Sequence, residues 1–126
     1  MEDCIFCKIV KGDVESYKLF ENEEFLAILD AFPAVEGQTI ILSKEHKPSY
    51  AFSLENEELK RVLFLAKEIA KILEEKLKVK KVQLIFAGTS VNHFHAKLYP
   101  TEERITIDGK KATPENLAEV RDKLIH

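Results

Sequence analysis

With 126 residues, of which 45% are hydrophobic and 33% charged, the chain is one domain's worth of soluble globular sequence. Its net charge of −3 argues against bulk nucleic-acid binding through a basic surface. No apolar run approaches membrane-spanning length and the N-terminus lacks the basic-then-apolar pattern of a secretory signal, so a cytoplasmic location away from membranes is expected.

In chain order, the first feature is Cys4 and Cys7, the only cysteines, as one Cys-x-x-Cys. Alone it is open between a redox pair, a metal knuckle and coincidence. A thioredoxin-like redox pair belongs in a βαβ setting, which this chain does not offer. Zinc takes four ligands, typically thiolates and imidazoles, and His46 and His93 are available. Lys18 to Phe20 and Phe25 to Leu29 read as two strands joined by the polar turn Glu21-Asn22-Glu23-Glu24. Gln38 to Leu42, entered through Gly37, reads as a third. Ser53 is the expected N-cap of a helix running to about Leu77, with acidic Glu55, Glu57 and Glu58 in its first turns. Leu59, Val62, Leu63, Ala66, Ile69, Leu73 and Leu77 form a core-facing stripe. Phe64, Leu65 and Ile72 lie partly off it, and a dimer interface is the preferred explanation.

Val82 to Phe86 and His93 to Tyr99 complete the strands, joined by the turn at Gly88. Asp108-Gly109 after Ile105-Thr106-Ile107 signals a hairpin. Thr113 and Pro114 open a closing helix with the stripe Leu117, Val120 and Leu124, and His126 reads as a solvated end. Consecutive strands with helices set apart from them imply an α+β fold, an antiparallel sheet covered by helices, in a single domain over residues 1–126.

The chemistry concentrates in Val91-Asn92-His93-Phe94-His95-Ala96-Lys97-Leu98-Tyr99-Pro100. Alternation puts His93, His95 and Lys97 on one strand face and Phe94, Ala96 and Leu98 on the other. Two imidazoles and an ammonium on one face suit an anion. Gly88-Thr89-Ser90 adds a hydroxyl and backbone N–H groups that could cradle phosphate oxygens.

This run resembles the signature of the histidine triad superfamily of nucleotide hydrolases and transferases, His-φ-His-φ-His-φ-φ with φ apolar, preceded by a Gly-x-Ser/Thr-Val-x element. The resemblance extends, in the family's order, through Cys4-Ile5-Phe6-Cys7-Lys8-Ile9, Leu26-Ala27-Ile28-Leu29-Asp30 and Lys44-Glu45-His46. It implies about five antiparallel strands with one long central helix and a C-terminal helix, often joined with a twofold partner into a ten-stranded sheet. It also implies a structural zinc ion on Cys4, Cys7, His46 and His93. His95 would be the nucleophile that forms a nucleotidyl-histidine, its ring held by the carbonyl of His93, and Ser90 would contact the phosphate or protonate the leaving group. Ile5, Phe6, Ile9 and Ile28 would form an apolar slot for a purine base, and Asp30 would accept the ribose hydroxyls. The substrate would be a nucleoside phosphoramidate or a dinucleoside polyphosphate.

Two departures stand out. Lys97 replaces the third signature histidine, keeping a cationic donor near the phosphate but not a neutral proton shuttle unless burial depresses its pKa strongly. The chain also passes almost directly from the fourth strand to Gly88, where many members carry an Asn-Gly-rich loop. Both favour, as the alternative, a nucleotide-binding module with little turnover. A zinc-stabilised dimeric interaction protein is a third reading.

Overall fold

Alternation along the strands gives the sheet two dissimilar faces, and the helices divide between them. The computed structural model describes residues 3–125, so the expectation for His126 lies outside the described residues. The elements are α1 (Ile5–Lys11), β1 (Lys18–Glu21), β2 (Phe25–Leu29), β3 (Thr39–Ser43), α2 (Asn56–Leu77), β4 (Gln83–Ile85), β5 (His95–Tyr99) and α3 (Pro114–Ile125). All strand pairings are antiparallel, in the spatial order β1-β2-β3-β5-β4. The α+β architecture read from the sequence is therefore the one found, with one extra short helix. No helix among the described residues is long and apolar enough to cross a membrane.

On one face Phe25, Ala27, Ile41, Phe94 and Leu98 pack against Val62, Leu65, Ala66, Ile69 and Leu73 of α2. On the other, Leu26, Ile28, Ile40 and Leu42 close over Phe6 and Ile9 of α1. Burying a side chain of this size stabilises by about 1.5–3 kcal/mol, so two such anchors account for the docking of a seven-residue helix that would not stand alone in water. The residues between these apolar positions, His93, His95 and Lys97, project on the α1 side, as the alternation requires.

Several local expectations are corrected. Ser53 does not cap α2: its hydroxyl donates to Tyr50 O at 2.7 Å and closes a 3-10 turn over Ala51–Ser53. Glu55 occupies the cap, its N–H donating to Glu58 Oε1 at 3.3 Å. Leu63 is exposed whereas Leu65 belongs to the core, because the buried row Val62, Leu65, Ala66, Ile69 and Leu73 follows i, i+3, i+4, i+7 spacing and Leu63 lies about 100° off it. Phe64 and Ile72 remain exposed. β4 is shorter than expected, and β3 and β5 begin one and two residues later. The hairpin at Asp108-Gly109 is absent: residues 104–113 carry no regular structure. A turn dipeptide closes a hairpin only if a second strand follows, and Lys110-Lys111-Ala112-Thr113 runs straight into the helix opened by Pro114. Thr113 does cap α3, its Oγ1 accepting the Asn116 N–H at 3.1 Å. Leu117, Val120 and Leu124, however, are exposed.

Candidate functional site

Ladder register sets the site row by row. Leu42 of β3 pairs with His95 and Ile40 with Lys97, while Ile85 of β4 also pairs with Lys97. His95 and Lys97 thus stand in adjacent rows of one face, with the Gly88–Val91 turn folded over them. Phe6, Ile85, Gly88, Thr89, Ser90, Val91, His95, Lys97 and Tyr99 are among the residues that enclose a cavity of about 200 Å³. That is below the usual size of a drug-sized ligand site, so it suits a phosphate group rather than a whole nucleotide. A second, more open cavity of about 460 Å³ lies against Cys4, Ile5, His46, Ser90 and Asn92, and Ser90 borders both.

The turn is held by a residue that sequence reading passed over. Ser49 Oγ donates to Gly88 O at 2.7 Å, and the Ser49 N–H donates to Asn92 Oδ1 at 3.2 Å. Beside it, His95 Nδ1 lies 2.7 Å from the carbonyl oxygen of His93. A carbonyl only accepts, so Nδ1 carries the proton and Nε2 the lone pair. Burial pushes His95 below the usual imidazole range, and the charge of Lys97 adds to this, against the opposing bond to His93. Phe6 packs edge-on to His95 with ring centroids 4.9 Å apart.

Cys4, Cys7, His46 and His93 converge, as the resemblance implied. Their ligand atoms lie within 4.8 Å of one another. His93 Nδ1 is 3.3 Å from Cys4 Sγ, 3.4 Å from Cys7 Sγ and 3.2 Å from His46 Nδ1. Ligands on a tetrahedral ion with zinc's bond lengths stand about 3.3–3.8 Å apart, so the donor set and its spacing fit a metal ion. A further contact supports this: His93 Nε2 lies 2.6 Å from Ser43 O, which fixes its proton there and turns the Nδ1 lone pair to the cluster. Burial holds His93 below the usual imidazole range, and therefore neutral. Burial and the neighbouring Cys4 push the Cys7 thiol up, the strain a bound cation would reverse.

The remaining expected residues divide. Ile5 is half exposed at the open cavity, whereas Ile9 and Ile28 are closed into the core cluster with Phe6. Asp30 is buried with both oxygens engaged: Oδ1 accepts the Phe32 N–H at 2.9 Å, and Oδ2 accepts from Gln38 Nε2 at 2.7 Å and Lys97 Nζ at 3.1 Å. Burial raises its pKa, but those three donors outweigh it and hold the carboxyl below its usual range. Gln38 was unforeseen here; its Oε1 also accepts the Ala34 N–H at 2.7 Å, pinning the β2–β3 loop.

Comparison with known proteins places this geometry. The family model for the HIT domain matches residues 11–104, leaving Cys4, Cys7 and α3 outside the matched stretch. A HIT-like protein of Mycoplasma pneumoniae is 41% identical over 106 residues, covering 80% of this chain and 73% of its own length. The adenosine 5′-monophosphoramidase of Schizosaccharomyces pombe is 36% identical over 98 residues, covering 77% of this chain and 73% of the yeast protein. Among solved structures, a Streptococcus mutans protein superimposes with a TM-score of 0.81 at 30% identity, covering 98% of this chain and 84% of that one.

Proposed function

The chain belongs to the HIT domain family, and on that premise we propose that it is a nucleotide hydrolase or nucleotidyl transferase acting at the α-phosphate of a nucleoside phosphoramidate or dinucleoside polyphosphate. The observation that carries this reading is the 2.7 Å contact between His95 Nδ1 and the His93 carbonyl. It leaves Nε2 as the nucleophilic nitrogen of a residue lining the cavity beside Ser90 and Lys97. Attack by Nε2 forms an N–P bond as the bond from phosphorus to the leaving group breaks. The leaving group takes a proton, for which the Ser90 hydroxyl is the nearby donor. Water then cleaves the N–P bond, its oxygen joining phosphorus and its proton returning to Ser90, which releases the nucleoside monophosphate and restores His95. The Lys97 ammonium stabilises charge on the phosphoryl oxygens. Ile5 and Phe6, backed by Ile9 and Ile28, receive a purine base.

The cluster Cys4, Cys7, His46 and His93 would hold a zinc ion. Four protein ligands leave no open coordination position, so the ion's part is structural, tying α1 to the sheet. We read the molecule as a homodimer, on the exposed apolar residues of α2. Binding without turnover is the second reading. It is favoured by the contact that draws the Lys97 ammonium toward Asp30.

The test is AMP release from adenosine 5′-phosphoramidate. The wild-type chain should turn over, and His95→Asn should lower kcat by about a thousandfold or more while still binding AMP. Equal turnover in the variant would remove His95 from the chemistry. AMP binding without release by the wild type would establish the second reading.

A further inference from the structure

We propose that Cys4 and Cys7 are a peroxide-reactive pair that closes to a disulfide, and that the same two sulfurs thereby switch the metal cluster and its hold on α1. The inference goes beyond the nucleotide reading and rests only on the structural zinc ion assigned above. Both thiols are free and partly exposed. The Lys8 N–H donates to the Cys4 carbonyl at 3.1 Å, so the two cysteines stand one helical turn apart. Helix geometry then puts their α-carbons about 5 Å from each other, inside the range a disulfide spans. The Cys7 N–H donates to Cys4 Sγ at 3.2 Å, which folds the Cys4 side chain back over the turn. The two sulfurs and the ligand nitrogens of His46 and His93 all lie within 4.8 Å of one another. Bringing the sulfurs to bonding distance is a matter of side-chain rotation within one turn, not of moving two elements together.

Access to the pair is unequal. Cys4 lines the open cavity of about 460 Å³ with His46, Ser90 and Asn92, and Cys7 is not among its lining residues. A hydroperoxide entering there meets Cys4 first. The Cys4 thiolate attacks one peroxide oxygen; an S–O bond forms, the O–O bond breaks, and hydroxide leaves from a Cys4 sulfenic acid. The Cys7 thiolate then attacks the Cys4 sulfur, so that the S–S bond forms, the S–O bond breaks and a second hydroxide leaves. Both hydroxides take protons from solvent. One hydrogen peroxide is reduced to two waters while two thiolates are oxidised to one disulfide. Sulfurs joined in this way no longer ligate. His46 and His93 remain, two ligands where a structural zinc site uses four, and the ion is released. Phe6, between the two cysteines, packs edge-on against His93 and His95 with centroids 5.8 and 4.9 Å away. The His93 carbonyl also orients His95. The state of the two sulfurs therefore reaches the cavity by two short routes. A disulfide this accessible belongs to the labile kind, so thiols reverse the change.

The experiment treats the zinc-loaded wild-type chain with hydrogen peroxide beside a chromophoric chelator that reports free zinc. About one zinc per chain should be released, in step with the loss of both thiols. Mass spectrometry of the N-terminal peptide should show two hydrogens lost and no oxygen gained. Dithiothreitol and added zinc should restore thiols, bound metal and thermal midpoint together. Zinc retained and thiols intact, at a peroxide concentration that oxidises a synthetic peptide of residues 3–8, overturns the inference. So does release accompanied by sulfinic acid or by disulfides between chains, because the two sulfurs would then not be partners. Dimedone should label the Cys4 sulfenic acid of Cys7→Ser at least about tenfold faster than the Cys7 sulfenic acid of Cys4→Ser. Equal labelling overturns Cys4 as the first point of attack. A chain that binds no zinc would remove the ion assigned above, yet the mass of its peroxide-treated N-terminal peptide would still decide whether Cys4 and Cys7 pair. Failure of the metal reading and failure of this one are thus told apart, and nucleotide turnover enters neither.

Discussion

Gly88 adopts φ +64°, and a Cβ built there would lie 2.0 Å from the carbonyl oxygen of Ser49. The turn over His95 and the segment leading into α2 are thus in backbone contact, with the Ser49 hydroxyl closing the junction. Relieving such an overlap means moving backbone, because no flexible side chain is available to give way. Gly88→Ala should therefore cost on the order of 2 kcal/mol or more in stability, from the left-handed backbone and the clash together. The denaturation midpoint of the variant should fall and its AMP affinity with it. An unchanged midpoint would mean the turn does not close against Ser49. His93 is the other residue in which structure and chemistry meet. Its Nδ1 belongs to the ligand cluster, its Nε2 is fixed by Ser43 O, and its own carbonyl orients His95. Any change that shifts His93 in the cluster shifts the nucleophile through one peptide group.

Among the elements, α1 depends most on its surroundings. Seven residues are too few for an autonomous helix, and besides Phe6, Ile9 and the partly buried Val10 its hold on the sheet comes through the side chains of Cys4 and Cys7. Metal analysis should find about one zinc per chain, and removing it with a chelator should lower the thermal midpoint by about 10 °C or more. Because Phe6 packs on His95, turnover should fall as well. Well under one zinc per chain, or a midpoint indifferent to chelator, would remove the metal from the account. α1 itself escaped sequence reading although its signals were present. Phe6 and Ile9 are at helical spacing, and Gly12 takes the left-handed C-cap conformation, its N–H donating to Ile9 O. The sheet and α2 were legible because each is written in local periodicity, whereas the meeting of Cys4, Cys7, His46 and His93 was legible only through the family resemblance. The Asp30–Gln38–Lys97 network and the Ser49–Gly88 junction were not. They join ordinary polar residues across strands that are separated in the chain, and no local pattern marks such a meeting.

At the scale of the molecule, the α1 face of the sheet carries the site and the α2 face carries the larger core, yet α2 does not finish the job of covering apolar surface. Phe64 is 66% exposed, and Ile72 borders a groove of about 430 Å³ with Leu19, Phe20 and Leu29. α3 adds a second uncovered stripe, burying no residue among those described. Scattered exposed apolar residues are ordinary, but a continuous groove and an amphipathic helix without a covered face are how an interaction surface reads. A stable dimer needs about 1,200–2,000 Å² of buried surface, more than Phe64 alone supplies, so both the outer face of α2 and the groove beside Ile72 must take part. A charge introduced at both should then be intolerable to the assembly while sparing the fold, since neither side chain is in the core. Sedimentation of the wild-type chain should show a species of two chains, and the double variant Phe64→Glu, Ile72→Glu should run as one chain with an unchanged circular dichroism spectrum. A single-chain species in the wild type would remove the dimer, and a variant that still pairs would place the association elsewhere, with α3 one uncovered surface to test next. Turnover by a single-chain variant would show in addition that the cavity around His95 is complete within one protomer, as the enclosure by Phe6, Gly88, Ser90, Lys97 and Tyr99 implies.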